Sequence, residues 1–274
     1  NSFCTLLEET MPRVVGEVRP DGVMVITLNR PKAGNALDPE SFQEWQALLR
    51  KAAADDAVKA VVITGSGKYF STGADVRAIA AGVMENPDSM GDVLRNGSAK
   101  VCTMLIDFPK LVVAAVNGPV VGFPAGLLGV FDTVYVSTTA SYSMPFLHLG
   151  IVPEGGSSFT LPATAGRAVA NDVLLHGRVL NADEMVRHGI AARKLDCTGD
   201  DFRKAAVDLV ASGVKKCASS SLLEAKRLIN VEHKARLHAA NKAETDTVVS
   251  QFAKGIPIKR FAAVAGAIGK RSKL

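Results

Sequence analysis

The chain has 274 residues, 47% hydrophobic and 22% charged, with 32 basic against 27 acidic side chains for a net charge of +5. That mix excludes a chain that is disordered, collagenous or coiled-coil throughout, and the length allows one or two domains. The mild, dispersed basic excess suits an anionic small ligand rather than nucleic acid, and 5% aromatic residues offer little for base stacking.

No apolar run reaches the length of a membrane-spanning helix, so no membrane insertion is expected. The start of the chain shows no basic-then-apolar leader. Cys4, Cys102, Cys197 and Cys217 lie far apart with no CxxC pair, which predicts reduced thiols in an intracellular protein rather than a disulfide or zinc framework.

Gly22 to Asn29 is apolar and β-branched and predicts a buried strand, ended by Arg30-Pro31. Asp38-Pro39 reads as a helix start, a capping carboxylate before a proline whose missing N–H costs nothing there. Phe42, Trp45, Leu48, Leu49 and Ala52 then recur at helical spacing. Lys59 to Gly65 predicts a second strand, and Asp75 is placed to open another helix. Ala80 to Asn96 is small and polar and reads as a mobile connection. A helix is expected over Ser98 to Phe108, a strand over Leu111 to Val116, a short apolar helix after the loop that follows, and a strand over Thr133 to Val136. Asp132 reads as structural.

Strand, turn and helix thus recur about three times without a strict period, which predicts an α/β fold of stacked ββα units. From Asp200 onward the spacing is helical throughout, and the composition shifts near Leu195 to Asp200. Residues 12–199 are expected to form the core that holds the site, and 200–274 a helical C-terminal region.

Common catalytic signatures are missing: there is no GxSxG elbow, no phosphate loop and no HExxH, and the five histidines never pair at metal spacing. Two glycine-bearing loops, Ser71 to Asp75 and Gly118 to Gly126, each follow a strand and enter a helix. Such a loop exposes unpaired backbone N–H groups that can hold an anion or a developing oxyanion, although ordinary turns before helices have the same composition. Gly150 to Gly156 places Glu154 in an apolar, glycine-flanked loop. Desolvation there would raise its pKa and make it a usable base; a solvated turn glutamate is the alternative. The chain ends in Ser272-Lys273-Leu274, the tripeptide read by the peroxisomal import receptor, or else an ordinary basic tail.

Taken together, Leu28 to Leu37, Ala60 to Val76, Val112 to Gly126 and Pro145 to Pro162 resemble the crotonase (enoyl-CoA hydratase/isomerase) superfamily in order and spacing. The resemblance implies a crotonase-like spiral of ββα units with a helical C-terminal oligomerisation region, assembled as a homotrimer or a dimer of trimers. It implies acyl-CoA substrates, with CoA as part of the substrate and no metal or other cofactor. Two backbone N–H groups would hold the thioester oxygen, and the matching positions are Ala74 and Phe123. Pro124 has no N–H and cannot be the donor. Gly122-Phe123-Pro124 stands where the family often has three glycines.

Family hydratases use two glutamates, and the matching positions hold Gly126 and Phe146. The pattern is closer to peroxisomal Δ3,Δ2-enoyl-CoA isomerases, in which the single catalytic glutamate falls on Glu154. By the same resemblance Thr72, Gly73, Ala74, Asp75 and Val76 lie along the CoA moiety with Gly122 and Phe123 nearby, Lys32 and Ala33 lie near the same end, and apolar residues after Ala80 line an acyl tunnel. Asp75 has a second reading as a helix cap. The alternatives are another crotonase reaction, hydrolysis or hydration, and a non-catalytic acyl-CoA binder.

Overall fold

Two stretches of polypeptide, described by a computed structural model over residues 11–85 and 89–260, build one six-stranded sheet and one three-stranded sheet. The large sheet takes β1 (Val14–Val18), β2 (Val23–Leu28), β3 (Ala60–Gly65), β4 (Leu111–Val116), β6 (Thr133–Ser137) and β9 (Arg193–Leu195) in that order. Only β1 and β2 are antiparallel; every later neighbour is parallel. The small sheet is β5 (Val120–Val121), β7 (Ser141–Ser143) and β8 (Leu180–Asn181).

The chain alternates between these two walls. After β3 it turns, and Ser71 bridges Val120; Ala74 in turn bridges Leu37. After β4 it turns into β5, and after β6 into β7, which pairs with β5. Each cycle therefore lays one strand on the large sheet and one short strand on the second wall, the expected spiral of ββα units. Buried Asn35 and Asn117 hold the corners. Asn35 donates to the Ser66 and Tyr69 carbonyls, and Asn117 accepts from Gly65 N–H and donates to the Gly67 carbonyl.

All six residues of β3 are buried, as expected for a parallel strand covered on both faces. Its alternate side chains serve two cores. Val61 and Ile63 face the main cluster with Trp45, Leu49 and Phe70, while Ala60 and Val62 face a second cluster. The second is made with Phe202, Ala206, Val207 and Val210 of α9 (Gly199–Lys216). Helix α1 (Pro39–Ala54) starts as read, with Asp38 accepting from Ser41 N–H at 2.9 Å and proline in the first turn. Trp45, Leu49 and Ala52 of its apolar face are fully buried; Phe42 and Leu48 are half-buried.

The expectation of a mobile connection from Ala80 to Asn96 is corrected. Helix α2 (Val76–Glu85) and helix α3 (Met90–Asn96) occupy most of it, followed by α4 (Ser98–Ile106). Asp75 caps α2, its side chain accepting from the Arg77 and Ala78 N–H groups. The loop after β5 enters the short α5 (Phe123–Gly126), and further on come α6 (Ser157–Ala165), α7 (Arg167–His176) and α8 (Ala182–Arg187). Helix α10 (Ser219–Ala253) is 35 residues long and contributes Leu237, Val248 and Phe252 to the main core, and the chain is helical again over 256–260. Asp132 is structural: it accepts from Val112 N–H and pairs with the largely buried Lys226 of α10 at 2.7 Å. Cys102 is buried and unpaired, while Cys4 and the Ser272-Lys273-Leu274 tail lie outside the described residues. No described helix is long and apolar enough to cross a membrane.

Candidate active site

Three loops meet at one cavity. The first follows β3. Ser71 hydroxyl donates to the Asn35 carbonyl and accepts from Gly73 N–H. Thr72 N–H goes to the Gly34 carbonyl at 2.9 Å and Asp75 N–H to the Leu37 carbonyl at 2.8 Å. The N–H groups on either side are thus satisfied, and that of Ala74 has no acceptor among the described residues. An Asp75–Arg30–Asp38 ion-pair chain, 3.0 Å at each link, ties this loop to the start of α1.

The second loop lies beside it. Val121 N–H donates to the Ser71 carbonyl and Gly122 N–H to the Ser143 carbonyl, both at 2.9 Å. Gly122 has φ 67° and ψ −133°, a conformation that a side chain would strain. That turn delivers Phe123 as the first residue of α5, where its N–H belongs to the open donors of a helix start and has no acceptor among the described residues. Pro124, next in line, has no N–H to offer. The two loops touch backbone to backbone: a Cβ built on Gly122 would stand 3.8 Å from the Gly73 Cα.

The third loop carries Glu154, which is half-buried because it opens on the cavity while protein surrounds the rest of it. Burial is the main cause that pushes its carboxyl up to about 7, the nearby Glu244 carboxylate adds to it, and a hydrogen bond with Ser98 opposes it. A carboxyl so poised can both take and return a proton near neutral pH.

The cavity opens to solvent on one side, and its wall is mostly apolar. Thr72, Gly73, Ala74, Val76, Gly122, Phe123 and Glu154 line it, so the structure brings most of the expected site together. Met90, Val93 and Leu94 from α3 form one side, where apolar residues after Ala80 were expected, and Ile79 of α2 joins them. Asp75 is not part of the lining; capping and its pair with Arg30 account for it. Lys32 and Ala33 also lie off the lining, on an exposed turn whose next residue, Gly34, takes the Thr72 N–H.

Other residues at the site escaped the sequence reading. Ser98 of α4 reaches Glu154, and Val248 and Phe252 of α10 close the cavity from the C-terminal region. Leu237, Asn241, Glu244, Val248 and Phe252 form the buried stripe of α10 at spacings of three and four. Two polar residues on an otherwise apolar stripe were the available signal.

Residues 18–257 match the family model for enoyl-CoA hydratase/isomerase. The chain is 36% identical over 233 residues to enoyl-CoA delta isomerase 2 of Rattus norvegicus, covering 84% of this chain and 58% of that protein. It is 35% identical over 173 residues to the peroxisomal enoyl-CoA delta isomerase 3 of Mus musculus, covering 62% of this chain and 53% of that one. The chain therefore spans less than three fifths of the length of these curated relatives. The solved structure of OdaA from Pseudomonas aeruginosa is 31% identical, with a TM-score of 0.83 over 93% of this chain and 99% of that chain.

Proposed function

The chain belongs to the enoyl-CoA hydratase/isomerase family, and we propose that within it the chain is a Δ3,Δ2-enoyl-CoA isomerase working with a single glutamate. One observation carries the proposal. Glu154 shares an apolar cavity with the open Ala74 and Phe123 N–H groups, and neither position 126 nor position 146 supplies a second carboxylate. The vacancy at 126 is built into the backbone. A Cβ there would stand 2.2 Å from the Glu154 carbonyl oxygen, so the loop that carries the base occupies the space a second glutamate would need. Phe146 is 1% exposed and fills the other position with an aromatic ring.

In this reading a 3-enoyl thioester binds with its acyl chain in the cavity and its CoA toward the Thr72 loop. Glu154 removes a proton from C2, acidified by both the thioester and the alkene. The electron pair spreads into a dienolate and reaches the thioester oxygen. The Ala74 and Phe123 N–H groups stabilise that oxyanion, each by about 2.7–4 kcal/mol. The protonated Glu154 returns the proton at C4, and the double bond ends at C2–C3. Proton and electrons balance without water or a redox partner. An acid limb near pH 7 is expected in the rate, since the base must start ionised.

The relatives named as delta isomerases support the reaction class. The Ser272-Lys273-Leu274 tripeptide and the relative named as peroxisomal support action in peroxisomes, in the breakdown of unsaturated fatty acids. Deleting that tripeptide is expected to leave a tagged protein in the cytosol, and unchanged import would overturn the assignment. A trimer or dimer of trimers is the assembly we assign by family.

Product analysis tests the reaction. The protein is expected to convert trans-3-hexenoyl-CoA into the conjugated 2-trans thioester and to form little 3-hydroxyacyl product from trans-2-hexenoyl-CoA. Hydration as the faster reaction would contradict the proposal.

A further inference from the structure

Glu244 lies on the buried stripe of α10 and is 5% exposed. Its Oε2 accepts from Gly156 N–H at 2.7 Å and its Oε1 from Ser158 N–H at 2.8 Å. These donors stand at the start of α6, where Gly156 has no side chain with which to cap it. One helical turn earlier, Asn241 donates to the Ala99 carbonyl and the Thr103 hydroxyl of α4, the helix whose Ser98 reaches Glu154. Helix α10 thus grips both supports of the proposed base.

We propose that Glu244 is a positioning residue for Glu154, fixing from α10 the glycine turn that carries the base and setting the charge beside which the base works. The inference rests on the reading of Glu154 as the base.

Two features of the geometry support it. Glu154 is followed by Gly155 and Gly156, both left-handed at φ 72° and 78°. Adjacent glycines leave a chain more free than any other pair, so a carboxyl mounted on them needs a fixed point outside the turn. Glu244 supplies it with two charge-assisted hydrogen bonds. The second feature is charge. Among the described residues, the titratable groups that face Glu154 are Glu244 from α10 and the Cys102 thiol from α4, with Ser98 as hydrogen-bond partner. Burial pushes the Cys102 thiol far up, which keeps it neutral. Burial also raises Glu244, but the donors at Gly156 and Ser158 work against that. The Glu244 carboxylate in turn holds the Glu154 carboxyl up, as a like charge beside it. Glu244 has both oxygens engaged and does not line the cavity, so it cannot exchange protons with a ligand.

The test is the pH dependence of trans-3-hexenoyl-CoA isomerisation in wild type, Glu244→Gln and Glu244→Asp. Glu244→Gln is expected to lower kcat at pH 8 by about tenfold with KM within about twofold, and to move the acid limb of kcat down by about one pH unit. Glu244→Asp keeps the charge and is expected to keep the wild-type acid limb. A Glu244→Gln profile that superimposes on wild type, or a lower kcat with an unmoved limb, overturns the inference.

If Glu244→Gln does not fold, carboxyl carbon NMR decides. In wild type Glu244 is expected to stay ionised while Glu154 titrates, and a Glu244 carboxyl that takes up its proton at or above the Glu154 midpoint overturns the inference. An inert wild type, or a Glu154→Gln variant as fast as wild type, removes the reading of Glu154 and the inference together. An active wild type, a dead Glu154→Gln and an unaltered Glu244→Gln remove the inference alone.

Discussion

Glu154 is a residue that the fold tolerates at a cost. Its carboxyl is held near 7 in the folded chain against about 4.5 for the free group. Below the lower value it is protonated in both states and costs nothing. Between about 4.5 and about 7 the unfolded chain releases this proton while the folded chain keeps it, so stability is lost over that window and no further above it. Glu154→Gln is therefore expected to raise stability at pH 8 by about 1–3 kcal/mol, with the gain vanishing near pH 4. Paired thermal melts at the two pH values check this; a variant less stable than wild type at pH 8 would contradict it. At this scale the site was partly legible. A carboxylate among glycines and apolar residues stands out, while the Phe123 donor was implied by the family resemblance, with Pro124 unable to compete for lack of an N–H. Ser98 and Glu244 were not legible, because their roles depend on helices that meet Glu154 only after folding.

Among the elements, β2, β3 and β4 were legible because parallel strands covered on both faces read as unbroken apolar runs. Strands β5 and β8 are two residues long and leave no period to detect. The end of α2 and all of α3 were missed for a different reason: α3 is about two turns long and brings only Met90, Val93 and Leu94 to the cavity wall, too few for the stretch to show a helical period. The attachment of α10 to the sheet is also invisible locally. It depends on the Lys226–Asp132 pair, where Lys226 also donates to the Lys110 carbonyl. Asp132→Ala leaves a buried ammonium without its counter-charge and is expected to cost about 3 kcal/mol, with Lys226→Met added to it recovering about half. Denaturant titrations of the single and double variants measure this, and a neutral Asp132→Ala would show that the pair does not hold the helix.

At the scale of the whole molecule, a spiral of ββα units places two open N–H groups from successive turns side by side, and a third turn brings a carboxyl to face the same cavity. Helix α10 closes that cavity and holds the loop of the carboxyl, so the C-terminal region belongs to the site as much as to the shell around it. Its composition announced helices but not this contact, which is made across about 90 residues of chain. The central claim is that one carboxylate, Glu154, moves the proton. The direct measurement is the rate of trans-3-hexenoyl-CoA isomerisation at pH 8 by wild type and Glu154→Gln, with binding of hexanoyl-CoA to both followed by calorimetry. The account predicts a fall of about 10³-fold in kcat with binding unchanged within about threefold. A variant that isomerises as fast as wild type, or a wild type that binds the thioester and leaves its double bond in place, would contradict it.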